Sequence, residues 1–199
     1  MSRELILRMS MSADGFVCGP NGEIDWMFPT MSEAGRQGLL ESFGQVDLIA
    51  IGHRSYQEMA GFWLTANNVL AEPMNKTPKA VFSRSGKITA PPALKDATDV
   101  DQAALESWLH PTVSGTDLVA DIEALKAQEG KAIMAIGGAS FASSLVAANL
   151  VDQYLLSVHP VVLGQGRPLF GGLEAPRHLK LEDLKQFDTG AITKIYRPA

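Results

Sequence analysis

Cysteine is almost missing from this chain: Cys18 is the only one among 199 residues. An internal disulfide is therefore excluded, and so in practice is a metal site built on thiolates. The histidines are few as well, and no two of them stand at metal-ligand spacing, so no metal is expected. No apolar run approaches the ~18 residues that a membrane span needs. No run of Lys or Arg is present either, and the net charge is -5. That balance argues against a generic nucleic-acid surface, although a few local donors could still hold a small anion. The start of the chain lacks the basic, apolar and small-residue order of a secretion signal, so the cytoplasm is the expected location. Internal repeats, low-complexity tracts and linkers are also wanting.

What is present is ordinary globular composition, 46% hydrophobic and 20% charged. The length suits one buried core, and a single domain over residues 1–199 is expected. Short strand-like runs alternate with helical ones. Leu5 to Ser10 reads as a strand, and Ser32 as the cap of a helix presenting Leu39, Leu40 and Phe43. Val46 to Ile51 is apolar except for Asp47, the signature of a strand buried on both faces. A short helix over Ser55 to Ala60 and a strand over Lys79 to Ser83 follow. Residues 85 to 113, with Pro91-Pro92 and Pro111, read as a surface excursion. Ser114-Gly115-Thr116-Asp117 offers a cap for a helix facing the core with Leu118, Ile122 and Leu125. Strands are expected over Ala132 to Ile136 and Gln153 to Val162, with a helix over Ser140 to Ala148 between them. The tail, with Leu179, Leu181 and Leu184, the Asp188-Thr189-Gly190 turn and Ile192 to Tyr196, reads as an antiparallel hairpin. The pattern predicts an α/β fold: a mainly parallel, doubly wound sheet with helices on both faces and an antiparallel C-terminal hairpin.

Three segments carry chemistry. In Ile136-Gly137-Gly138-Ala139-Ser140-Phe141 a strand runs through two glycines into a helix. The missing Cβ atoms let a flat ring or a pyrophosphate approach, and the first helical N–H groups face its charge. The same residues also suit a plain strand-to-helix turn. Gly52-His53-Arg54-Ser55-Tyr56 is a second such junction, with a cation and a hydroxyl at hand; a capped helix with a solvated arginine is the alternative. Ser83-Arg84 closes a third strand. In a doubly wound sheet ligands bind beyond the carboxyl ends of the strands, and all three segments belong to such ends. Together they suggest an extended anionic cofactor.

At this point the order of segments resembles the dihydrofolate reductase superfamily, in particular the branch of the C-terminal reductase domain of bacterial riboflavin biosynthesis. The matching pieces are Ser10 to Phe16, Gly52 to Tyr56, Phe82-Ser83-Arg84, Ile136 to Phe141, and Pro160 to Phe170, which together span the chain. The resemblance implies an NADPH-dependent oxidoreductase that reduces a small heterocyclic or sugar-derived substrate at a C=N or C=O group. Its nearest counterpart would be the 5-amino-6-(5-phosphoribosylamino)uracil reductase. By that resemblance Gly52, His53, Arg54, Ser55, Ser83 and Arg84 would hold the 2′-phosphate and pyrophosphate. Gly137, Gly138, Ala139, Ser140 and Phe141 would lie against the pyrophosphate and nicotinamide, with a cis peptide between the glycines. The family commonly has Arg where this chain has His53, which bears on the choice between NADPH and NADH. As a cation, His53 would strengthen cofactor binding at low pH. A homodimer is also implied.

The substrate side is read from Asp25, Trp26, Gly164 and Arg167. Folate reductases place an acid after a Trp-x-x-Pro segment, where this chain has Met31, and that speaks against folate. Asp14 and Asp25 are the candidate catalytic acids, though each also suits a turn. Trp26 could be a substrate platform or a core anchor. Arg167, in Leu163-Gly164-Gln165-Gly166-Arg167, could meet a substrate phosphate or lie in a glycine-rich surface turn. His159 reads as structural. The alternatives are a dihydrofolate or pteridine reductase and, in another class, a nucleotide-binding sensor without turnover.

Overall fold

A computed structural model describes residues 2–92 and 102–199. In chain order its elements are β1 (Leu5–Ser12), β2 (Phe16–Cys18), a 3-10 turn (Asp25–Thr30), α1 (Glu33–Phe43), β3 (Val46–Gly52), α2 (His53–Thr65), α3 (Ala71–Lys76) and β4 (Lys79–Phe82). There follow α4 (Gln102–Leu109), β5 (Thr112–Ser114), α5 (Leu118–Lys126), β6 (Ala132–Ile136), α6 (Ala139–Ala147), β7 (Gln153–His159), β8 (Arg167–Pro168), β9 (Leu179–Gln186) and β10 (Ile192–Pro198). The chain forms two compact units. The first holds residues 1–3 and 36–134, the second residues 4–35 and 135–199.

In the first unit β3, β4 and β5 pair in parallel. The continuous apolar run of β3 has the expected outcome, since Ile49, Ala50 and Ile51 are wholly buried. α5 starts as its sequence requires: the Asp117 side chain accepts from the Ala120 N–H at 3.0 Å, and Ile122 and Leu125 face inward. Ser114, read as part of that cap, instead closes β5.

The surface excursion expected over residues 85–113 is corrected in its second half, where α4 and β5 lie. Residues 93–101 fall outside the described residues. Trp108 is fully buried and stacks on Tyr56 with ring centres 5.7 Å apart, while its Nε1 donates to Asn75. Burying so large a ring outweighs the loop propensity of the neighbouring prolines.

In the second unit β1 pairs with β7 in parallel, and β7 with β10 and β10 with β9 antiparallel. β1 alternates. Leu7, Met9 and Met11 are buried, and Arg8, Ser10 and Ser12 take the other face. Register puts Ser157 and His159 beside Ser10 and Ser12, with Thr193 beside Ser157, so one sheet face is polar. The hairpin closes through Phe187 N–H to Ala191 O and Gly190 N–H to Phe187 O. β2 and β8 form a separate two-stranded ribbon.

Candidate functional site

The first unit gathers residues by register. Gly52 pairs with Phe82 and Phe82 with Ser114, so three parallel strands end in one row. Gly52 is extended (φ -71°, ψ 144°) and begins α2 with no side-chain cap. Ser83 is buried at the end of β4, with its hydroxyl 3.0 Å from that of Ser85. Gly86 N–H bonds back to Ser83 O at 2.8 Å, which leaves Arg84 and Lys87 exposed on the turn. Arg54 is exposed and paired with Glu58 at 2.8 Å. The sequence reading missed Gly115 at this edge. A Cβ there would stand 2.6 Å from Ser83 N at a φ of +126°, so only glycine lets β5 leave beside β4.

The second unit builds the other set. β6 ends at Ile136, and the chain turns through Gly137 (φ 65°) and Gly138 (φ 70°) into α6, which has no side-chain cap either. Both angles lie in the left-handed region that favours glycine. The cis peptide expected between them is absent: among the described residues every peptide is trans. The two positive φ values make the turn instead. Arg167 Nη1 donates to Ser140 Oγ at 3.3 Å, and Ser143 Oγ to Pro168 O at 3.3 Å. Gly166 passes so close to β2 that a Cβ would lie 2.3 Å from Cys18 O. The loop carrying Arg167 is thereby pinned to the first turn of α6, beside Ala139 and Phe141.

Of the candidate acids, Asp14 accepts from Ser12 Oγ at 2.6 Å, Leu163 N at 3.2 Å and Gly164 N at 2.8 Å. The Ser12 hydroxyl first, then these backbone donors, hold its carboxyl below the usual range. It is an ionised staple between β1 and the Gly164 loop, which makes it a poor proton donor. Asp25 is exposed at the start of the 3-10 turn. Trp26 donates through Nε1 to Glu23 O at 3.0 Å and meets the His159 ring edge-on, centres 5.7 Å apart.

His159 is 3% exposed, with Nδ1 2.8 Å from Thr30 Oγ1 and Nε2 buried without a hydrogen-bond partner. Burial, then the charge of Arg8, lower its pKa. Arg8 Nε is likewise buried without a partner, and desolvation pushes the guanidinium down to about 10. The sequence signal for Arg8 was there to read, a cation midway along an apolar strand. Buried polar atoms are usually satisfied, so two such atoms on one sheet face mark it as a candidate polar binding face.

This arrangement defines a class, an α/β protein with glycine turns leading from parallel strands into helices. The model of the RibD C-terminal domain matches residues 3–193, and the chain belongs to that family. An uncharacterized Bacillus subtilis (strain 168) protein, YyaP, is 30% identical over 202 residues, covering 98% of this chain and 94% of its own. Solved structures share the fold, which is dihydrofolate reductase-like. A pyrimidine reductase-like protein of Corynebacterium diphtheriae superposes with a TM-score of 0.66 at 17% identity, over 99% of this chain and 92% of its own. The Thermotoga maritima diaminohydroxyphosphoribosylaminopyrimidine deaminase/5-amino-6-(5-phosphoribosylamino)uracil reductase gives 0.68 at 13% identity, over 100% of this chain and 57% of its own. Among the described residues no helix is long and apolar enough to cross a membrane.

Proposed function

We propose that this chain is a cytoplasmic, NADPH-dependent reductase acting on a C=N or C=O group of a small heterocycle of the aminouracil type. The observation that carries this reading is the Gly137-Gly138 turn into an uncapped α6, with Arg167 held at Ser140. The N-terminus of α6, a hydroxyl and a guanidinium converge there, a donor set suited to a pyrophosphate. Within the first unit, Gly52, Arg54 and Ser55, with Ser83 and Arg84, are a separate proposed phosphate site. Bound NADPH would supply the hydride.

The protein's own part is to bind, orient and exclude water. The polar face of β1 and β7 is the proposed substrate side. Arg8 Nε there asks for an acceptor, and His159 Nε2, neutral and bonded through Nδ1 to Thr30, for a further polar partner. With Asp14 committed to its turn, Asp25 is the remaining candidate acid. Trp26 then serves as wall and Gly164 as rim. A homodimer is proposed as well, because β9 is an exposed edge with Leu181 and Leu184 48% and 49% exposed.

The test is a titration with NADPH and NADH followed by tryptophan fluorescence, then a screen of pyrimidine, pterin and flavin-precursor substrates for loss of cofactor absorbance. Binding of NADPH with consumption on a pyrimidine supports the proposal, and consumption on a pterin moves it to a pteridine reductase. Binding without consumption on any of them favours the sensor reading. Binding of neither cofactor overturns it.

A further inference from the structure

We propose that His53 is a positioning residue that works as an unprotonated acceptor, latching the Ser83–Thr89 loop onto the start of α2, and not as a cation for phosphate. The effect on cofactor affinity rests on the NADPH reading; the latch itself does not.

The loop leaves β4 at Ser83, whose N–H bonds to Ser114 O at 2.8 Å, and turns at Gly86. It then returns to α2. Thr89 N–H donates to His53 Nε2 at 3.0 Å, and Gln57 Nε2 donates to Thr89 Oγ1 at 2.5 Å. His53 and Gln57 are four residues apart and so share one helix face. Thr89 sits between them as in a clasp, and Arg84 and Lys87 project from the stretch fixed at both ends.

The sign of the effect follows from hydrogen-bond chemistry. A backbone N–H can only donate, so His53 Nε2 must offer its lone pair and the ring proton must sit on Nδ1. A second ring proton would set a donor against the Thr89 N–H and leave only Thr89 Oγ1, 3.4 Å from Nε2, to receive it, so the backbone bond would open. On its own helix Arg54 and Glu58 pair with each other at 2.8 Å, and Arg84 and Lys87 are exposed on the loop. A histidine that gripped phosphate as a cation could not be replaced by a neutral glutamine. A histidine that latches the loop as an acceptor can be.

Three proteins test this: wild type, His53→Gln, whose amide oxygen can accept from Thr89 at any pH, and His53→Ala. In the cofactor-free wild type at pH 8, 15N imidazole spectra should find Nε2 unprotonated; a proton there overturns the latch. Protection of the Thr89 amide from exchange should fall about threefold to tenfold in His53→Ala, the value of one hydrogen bond. It should survive in His53→Gln, whose amide oxygen takes the place of Nε2 as acceptor. Unchanged protection in His53→Ala overturns the proposal. NADPH affinity at pH 8 should drop by a similar factor in His53→Ala and hold in His53→Gln. Equal loss in both variants restores the cation. Should no variant bind NADPH at pH 8, the reductase reading fails, while the imidazole and exchange data still decide on the latch.

Discussion

Replacing Gly138 by alanine separates two things a glycine can do. The residue caps α6 at φ 70° and ψ 88°. An alanine held in such a region costs about 1–3 kcal/mol. Against the ~5–15 kcal/mol of a typical fold, the variant stays folded. In a chain of this size its midpoint drops by roughly 2–12 °C. On the proposed placement the added methyl would also stand where a pyrophosphate or ring approaches the turn, and losing that approach should weaken NADPH binding by at least ~10-fold, about 1.4 kcal/mol. Gly190→Ala is the control. It has φ 82° in the hairpin turn, and its Cβ would meet only Pro160 at an ordinary 3.4 Å. Thermal unfolding by circular dichroism measures the strain in both variants, and fluorescence titration measures the affinity. Equal NADPH affinity in the two would refute the placing of the cofactor on this turn.

Other outcomes follow from the same geometry. Arg167→Ala removes an exposed side chain, so unfolding should move by no more than ~0.5 kcal/mol, while NADPH affinity falls roughly 10–100-fold if the guanidinium meets phosphate. Lys79 is buried, with Nζ donating to Met74 O at 2.6 Å, Thr77 O at 2.8 Å and Ser107 Oγ at 2.7 Å, and burial pushes it down to about 7. Lys79→Met orphans these acceptors but also relieves a buried charge, for a net loss of about 2–4 kcal/mol in urea unfolding. The lowered pKa of His159 has a definite sign: the unfolded chain takes the proton first, so its contribution is complete above the ordinary imidazole range and lost as pH falls through it. Between pH 7 and 5 the wild type should lose more stability than His159→Gln, and parallel profiles would contradict that. Sedimentation should give twice the 21.4 kDa of one chain.

Most strands were legible because burial writes itself into pattern. The unbroken run of β3 and the alternation of Leu7, Met9 and Met11 against Arg8, Ser10 and Ser12 needed no partner to be read. Short elements failed for the converse reason. β5 has only three residues and no buried one, and the β2–β8 ribbon depends on Gly166 approaching Cys18, a contact between distant segments. At the candidate site residue types were visible but their duties were not. Asp14 looks the same in sequence whether it donates a proton or staples Leu163 and Gly164. His53 reads as a cation until Thr89 is found at its Nε2. Arg8 went unremarked although a lone cation in such a strand was its own signal.

β1 and β7 are adjacent in space and remote in time. Leu5 N–H is capped by Asp152, 147 residues away, and the ladder that begins there runs to Ser12 and His159. At ~5–20 residues per second of synthesis, the first strand waits roughly 7–30 s for this partner to be made. Throughout that interval Leu5, Leu7 and Met9 stand on a strand whose β7 edge has nothing to pair with. Residues 5–12 therefore keep an unpaired edge until residue 159 has been made, and masking them over that interval would guard against misassociation.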